Sequence, residues 1–199
     1  MDLNVEWIAA PELTSERLTL EPLQVEHATE MAALLNDVAL HEFIGGEPAT
    51  LDVLGQRYER QVVGHSPDGS EVWLNWVLRR RDTGEAVGTA QATITGYGDD
   101  DSGDDDSGDD DAGGADDTGA RDVGHGTVAD VAWVIAVPAQ RQGYAREAAQ
   151  AVVTWLGQQG IEVIAAFVHP EHEASMSVAR AIGLTPTDVV VDGEVRWQS

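Results

Sequence analysis

Residues 131–156, VAWVIAVPAQRQGYAREAAQAVVTWL, limit what this chain can fold into more than any other stretch. An apolar run of strand length enters a short polar and basic loop and leaves it as an amphipathic helix. The loop reads Gln140-x-x-Gly143-x-Ala145. A strand that turns into a helix in this way ends in a socket for a phosphate. The first N–H groups of a helix have no partner within it, and the helix dipole is positive at that end. Gly143 has no Cβ, so an anion can approach the main chain closely there. Arg141 and Arg146 bring formal charge to the same loop.

The flanking sequence supplies a sheet for this unit. Residues 17–23, RLTLEPL, alternate like a half-buried strand that stops near Pro22. Val25, Ala28, Ala32 and Leu35 then recur at helical spacing, and Leu51, Leu54, Tyr58 and Val62 mark a second helix. Between these two, residues 43–48, FIGGEP, read as a glycine loop. Residues 66–70 are a turn. Residues 71–79 and 85–95 read as two strands joined at Asp82-Thr83-Gly84. Residues 128–137 are almost continuously apolar, the pattern of a strand covered on both faces.

The helix that follows carries Ala145, Ala148, Ala149, Val152, Val153 and Leu156 on one stripe, with Gly157 and Gly160 near its end. Residues 161–168 are another buried strand. Ala174, Val178, Ala179 and Ile182 define a helix that Gly183 stops. Residues 185–191 and 194–197 form a closing hairpin around Asp192-Gly193.

The 199 residues suit one domain, 1–199, with a full core. Cysteine is absent, which excludes disulfides and a thiol nucleophile. The N-terminal sequence has no basic segment followed by an apolar run, and no apolar run is long enough to cross a bilayer. A cytoplasmic protein with no membrane partner is the expectation. The formal charge is -25, and lysine is absent, so all eleven permanent cations are arginines. Such a surface repels nucleic acid. It suits a cationic amine, although an acidic, salt-adapted proteome is the plainer reading.

Much of this acidity is local. Residues 99–122 hold twelve Asp and one Arg, in repeats DDDSG, DDDSG and DDDAG. Like charges repel there and nothing apolar is available to bury, so a disordered acidic loop between the third and fourth strands is expected. The spacing does not match a calcium-binding EF-hand, and a weakly cation-attracting tether is the better reading.

The order β-α-α-β-β-β-α-β-α-β-β, with Gln140-x-x-Gly143-x-Ala145 between strand and helix, resembles the GCN5-related N-acetyltransferases (GNAT). Their acyl-CoA loop follows the pattern Gln/Arg-x-x-Gly-x-Gly/Ala. RLTLEPL, the paired glycines and HPEHEAS at 169–175 further resemble the ribosomal-protein-alanine acetyltransferase type. The resemblance covers nearly all of the chain outside the acidic insert. It implies an α/β fold: a mixed, mostly antiparallel sheet, helices on both faces, and a splayed central parallel strand pair. It also implies acetyl-CoA as co-substrate, no required metal, a primary amine as acceptor (a protein N-terminus or a small molecule), and a monomer or homodimer.

The resemblance assigns roles to residues. Gln140, Arg141, Gln142, Gly143, Tyr144, Ala145 and Arg146 hold the pyrophosphate. The main chain of Ile135, Ala136 and Val137 meets the pantetheine arm. Asp130, near the start of its strand, is the candidate base; burial would raise its pKa and suit it to the task near neutrality. A solvated strand end is the alternative. Ser175 falls on the Ser of the family's Asn-x-x-Ser segment, where some members place a hydroxyl near the CoA sulfur; helix capping is its alternative role. His172 falls on the Asn and departs from the pattern.

Asn75 and Gln91 are neutral amides inside apolar strands. They either pair with each other or the backbone, or orient the incoming amine. Trp73 and Trp76 face opposite sides of one strand, so at most one lines the site. His169, Glu171 and His172 are too few and too local to build a zinc site. Two functions follow: an acetyltransferase acting by direct attack in a ternary complex, or a CoA-binding sensor without turnover.

Overall fold

The computed structural model describes residues 8–41, 46–96 and 127–199. The acidic loop at 99–122 and residues 43–45 of the glycine loop lie outside the described residues. The strands are β1 Leu13–Thr14, β2 Leu18–Pro22, β3 Glu71–Arg80, β4 Ala86–Thr95, β5 Val128–Ile135, β6 Val163–Val168, β7 Thr185–Val191 and β8 Glu194–Gln198. The helices are α1 Ala28–Leu34, α2 Leu51–Gln61, α3 Tyr144–Gln158 and α4 Glu173–Ala181. One eight-stranded sheet runs β1-β2-β3-β4-β5-β6-β8-β7. Every neighbouring pair is antiparallel except β5 and β6, which are parallel.

Helices cover both faces. Val72, Leu74 and Trp76 of β3, Ala92 and Ile94 of β4, and Ala129 and Val131 of β5 pack with Ala148, Ala149, Val152 and Leu156 of α3. The alanines let α3 lie close to the sheet, and the stripe expected for this helix is the one it buries. Trp76 is fully buried there; its indole N–H donates to the Pro11 carbonyl at 2.7 Å, and Trp155 meets its ring edge-on at 6.1 Å. The polar end is satisfied while the ring is dry, so truncating it to Ala costs about 3–5 kcal/mol. On the opposite face Val77 packs with Ala28 and Met31 of α1 and Leu54 and Tyr58 of α2.

Three local features differ from the expected pattern. A two-residue β1 precedes β2, and a single 3₁₀ turn, Val25–His27, leads into α1. Strand β5 ends at Ile135, because Val137–Ala139 is a 3₁₀ turn with Pro138 inside it. No described element covers its second face: Ala132 is exposed and Val134 half-buried. Apolar character along β5 reflects an open cleft on that side rather than a second packed layer. The end of β5 is held tightly to β4. A Cβ on Gly88, opposite Ile135, would stand 2.1 Å from the Val134 carbonyl oxygen, so only glycine permits the approach.

Candidate functional site

The parallel pair is joined over only three positions: Val128 with Val163, Ala129 with Ile164, and Asp130 with Ala165. Beyond that point β5 continues on β4 as far as Ile135, while β6 continues on β8 as far as Val168. The two strands diverge, and a gap opens between their carboxyl ends.

Ladder parity decides which main-chain groups face this gap. The Ala136 amide donates to the Val87 carbonyl at 2.9 Å. Alternate residues of an antiparallel strand turn their main chain to the same neighbour, so Ala132 and Val134 also face β4. Trp133 and Ile135 face the gap. The expected trio of Ile135, Ala136 and Val137 is therefore only partly suited to meet a ligand. Ala136 has committed its amide, and the Val137 carbonyl already accepts from the Gln140 amide at 3.3 Å. Trp133, whose main chain also faces the gap, is outside the expected set; its parity is fixed by register, which no local pattern reveals.

The loop expected to take phosphate lies at the mouth of the gap. Arg141 has φ 61° and Gly143 φ 84°, both left-handed, and α3 begins at Tyr144. The strained Arg141 turns the loop so that successive amides are presented to solvent. None of the amides from Arg141 to Arg146 donates to a described residue. Arg141 and Arg146 are exposed. The other side chains of the expected set are engaged elsewhere. The Gln140 amide group donates to the Ile135 carbonyl at 3.1 Å, and that of Gln142 to the Pro138 carbonyl at 3.4 Å. Tyr144 is buried in the core and Ala145 half-buried, so each offers only its main-chain N–H. A run of partnerless amides flanked by two arginines fits a diphosphate.

An arginine-carboxylate pair, Arg17 and Glu147, props this loop. Arg17 donates its Nε to Glu147 Oε2 at 2.8 Å and its amide to Glu147 Oε1 at 2.6 Å, and Ser15 Oγ donates to the same Oε1 at 2.7 Å. The Arg17 guanidinium also donates to the Gln142 carbonyl at 2.9 Å and lies 4.8 Å from the centre of the Tyr144 ring. Glu147 sits in the first turn of α3, where an anion would repel a phosphate; Arg17 neutralises it. Burial pushes the Glu147 carboxyl up, and the bonds from Ser15 and Arg17 together outweigh this and hold it below its ordinary value. Nothing local in the sequence links residues so far apart.

Register places the other candidates on one face of the sheet. Asn75 lies opposite Gln91, and Gln91 opposite Ala132; Trp73 lies opposite Thr93, and Thr93 opposite Asp130. Trp76 is on the other face, in the large core. No hydrogen bond joins the side chains of Asn75 and Gln91. They line a cavity of about 170 Å³ between the sheet and α1 and α2, together with Thr89, Val134, Arg57 and Tyr58.

Asp130 stands at the last rung before the gap. Its Oδ1 is buried without a hydrogen-bond partner among the described residues. Burial pushes its carboxyl above the ordinary value; Arg196 opposes this and Glu71 adds to it. The solvated strand end is thus not what the structure has. Arg196, whose Nε is likewise buried and unpartnered, lies on β8 opposite Phe167.

Ser175 is in the first turn of α4, at the carboxyl end of β6. Its amide donates to His172 Nδ1 at 2.9 Å, so His172 and not Ser175 caps the helix. An imidazole nitrogen thus serves as the helix cap at the position where the resembling pattern has Asn. His169 Nδ1 accepts in the same way from the Glu171 amide at 3.2 Å. A larger hollow, about 860 Å³, lies outside, between β1 and α3. It is lined by Glu12, Glu16 and Glu147 and reaches the phosphate loop only at Gly143 and Arg146, so it does not compete as the phosphate site.

The sequence pattern of the acetyltransferase (GNAT) domain matches residues 17–185. The chain belongs to this family of acetyltransferases. A search of curated proteins gives no match. Among solved structures, an acetyltransferase from Agrobacterium tumefaciens str. C58 is similar over 100% of this chain and 99% of its own, at TM-score 0.63 and 19% identity. The RimL ribosomal L7/L12 alpha-N-protein acetyltransferase in complex with coenzyme A is similar over 95% of this chain and 97% of its own, at TM-score 0.66 and 13% identity. The aminoglycoside acetyltransferase AAC(6′)-Ib with paromomycin and acetyl-CoA is similar over 92% of each chain, at TM-score 0.65 and 17% identity. At these identities the likeness is one of fold.

Proposed function

We propose that this chain moves an acetyl group from acetyl-CoA to a primary amine by direct attack in a ternary complex. The divergence of β5 and β6 just beyond Asp130, with partnerless amides at its mouth, is the observation that carries the reading. Bound acetyl-CoA supplies an activated thioester; the remaining work falls to the chain. The amides from Arg141 to Arg146, with both arginines, hold the diphosphate. Main-chain groups of Trp133 and Ile135 line the pantetheine arm. One such N–H polarises the thioester carbonyl, a donor worth about 3 kcal/mol of barrier.

Asp130 accepts the proton of the attacking amine, directly or through water, and its raised pKa suits it to that task. Ser175 Oγ donates toward the departing sulfur. Asn75 and Gln91 orient the amine from the adjoining face. Holding amine and thioester together contributes up to about 7–11 kcal/mol in favourable cases. No described helix is long and apolar enough to cross a membrane, and a cytoplasmic setting is part of this proposal.

The test is release of CoA from acetyl-CoA in the presence of a panel of peptides and small amines, beside calorimetry with CoA. Turnover with any amine supports the transferase. Tight CoA binding with no turnover across the panel overturns it in favour of a CoA sensor.

A further inference from the structure

The cavity beside Asn75 and Gln91 has a charge pattern opposite to that of the chain around it. The sequence holds 36 acidic residues and a net charge of -25, yet no described residue lining the cavity is acidic. Its polar wall is Arg57 and Gln61 of α2, one helical turn apart, with Tyr58, His41, Asn75 and Gln91. Arg57 forms no ion pair with a described residue. The carboxylates behind α1 are already occupied: Arg79 bonds both Glu21 and Glu30. The Tyr58 hydroxyl is pushed up to about 12 by burial and stays a neutral donor. No described side chain facing the cavity therefore carries a negative charge, and Arg57, Gln61, Tyr58, Asn75 and Gln91 all offer donors suited to an anion.

We propose that the acceptor is an amine whose other end carries a carboxylate, and that Arg57 is the specificity residue that binds that carboxylate. The proposal rests on the transferase reading above. A polycationic amine, which net charge alone would favour, finds no counter-charge among the described residues of this cavity, and desolvating an ammonium without one is costly. A guanidinium presents a planar fork to a carboxylate, and the gain from one charge-assisted pair is enough to sort acceptors of similar shape.

Two matched series test this by CoA release. The first is three free-amine peptides alike except for Asp, Asn or Lys at the second residue. The second is 4-aminobutyrate, its amide, and 1,4-diaminobutane. In at least one series the native chain should prefer the anionic member and reject the cationic one; which series responds separates a peptide acceptor from a small-molecule one. Arg57 is exposed on α2, so its replacement should leave the fold intact, as a melting curve will verify. In Arg57→Ala the ratio of kcat/KM between anionic and neutral acceptors should fall about ten-fold. In Arg57→Glu the order should reverse toward the cation. A native preference for the cationic members, or an order unmoved by Arg57→Glu, overturns the proposal while leaving the transferase intact. No CoA release with any amine, with CoA still bound in calorimetry, removes the transferase reading and this proposal with it.

Discussion

Asp130 and Ala165 form the last rung between β5 and β6. From that pair onward each strand has a different neighbour, so a carboxylate stands at the vertex of the gap. The carboxylate is half-buried, with one oxygen unpaired, and both facts follow from where the rung lies.

Asp130→Asn should lower kcat by about 100-fold, the typical reach of a general base. In the native chain kcat/KM should rise with pH along a limb lying above the ordinary carboxylate range, and that limb should vanish in the Asn variant. Stability should move the other way. A folded pKa above the unfolded one favours the folded state at low pH, and that advantage is lost as pH rises through the folded value. The Asn variant should therefore match the native chain in acid and melt higher near neutrality. A pH series of melting temperatures and rates checks both signs.

Arg17 and Glu147 should matter to CoA binding without touching the ligand. Arg17→Ala leaves the Glu147 carboxylate in the first turn of α3 without its counter-charge and frees the Gln142 carbonyl, so CoA affinity should fall about ten-fold. Glu147→Gln should cost roughly 2 kcal/mol of stability at neutral pH. The Glu147 carboxyl is held below its ordinary value, so its contribution is present above the unfolded pKa and lost as pH falls through the folded one. The gap in melting temperature between native and Gln chains should close in acid.

His172 should act as a cap. His172→Ala should cost about 1 kcal/mol, whereas His172→Asn restores an acceptor for the Ser175 amide and should cost little. Denaturant unfolding of the two variants separates them; equal losses would contradict the capping role.

Gln91→Leu should raise KM for the amine and leave the CoA dissociation constant unchanged, because Gln91 lines the cavity proposed for the acceptor and is separated from the gap by β5. Initial-rate kinetics with each substrate varied in turn will show the split.

The elements themselves were legible because each carries its own period: the Ala148–Val152–Leu156 stripe for α3, Asp192-Gly193 for the final hairpin. The phosphate loop was legible because a glycine between a strand and a helix is a local signal. Pairing is not local. Nothing in residues 128–137 tells that β5 leaves β6 after Asp130, so which main-chain groups among Trp133, Ile135, Ala136 and Val137 face the gap is not legible in the sequence. Arg17 was invisible for the same reason, its partner lying at the far end of the chain. The apolar second face of β5 reads the same whether a helix or an open cleft lies over it. The charge of the cavity lined by Arg57 was masked by the composition of the whole chain, since net charge does not say where its few arginines face.

Titration calorimetry of coenzyme A against the full chain, beside pantetheine and a Gly143→Asp variant, tests the central claim most directly. Gly143 sits at φ 84°, with Arg17 3.4 Å from where a Cβ would be, so aspartate brings both strain and negative charge to the partnerless amides. One CoA should bind per native chain, pantetheine about 100-fold more weakly for want of the diphosphate, and the Asp variant should bind CoA no better than pantetheine. Pantetheine bound as tightly as CoA, or CoA bound unchanged by the Asp variant, would contradict the account.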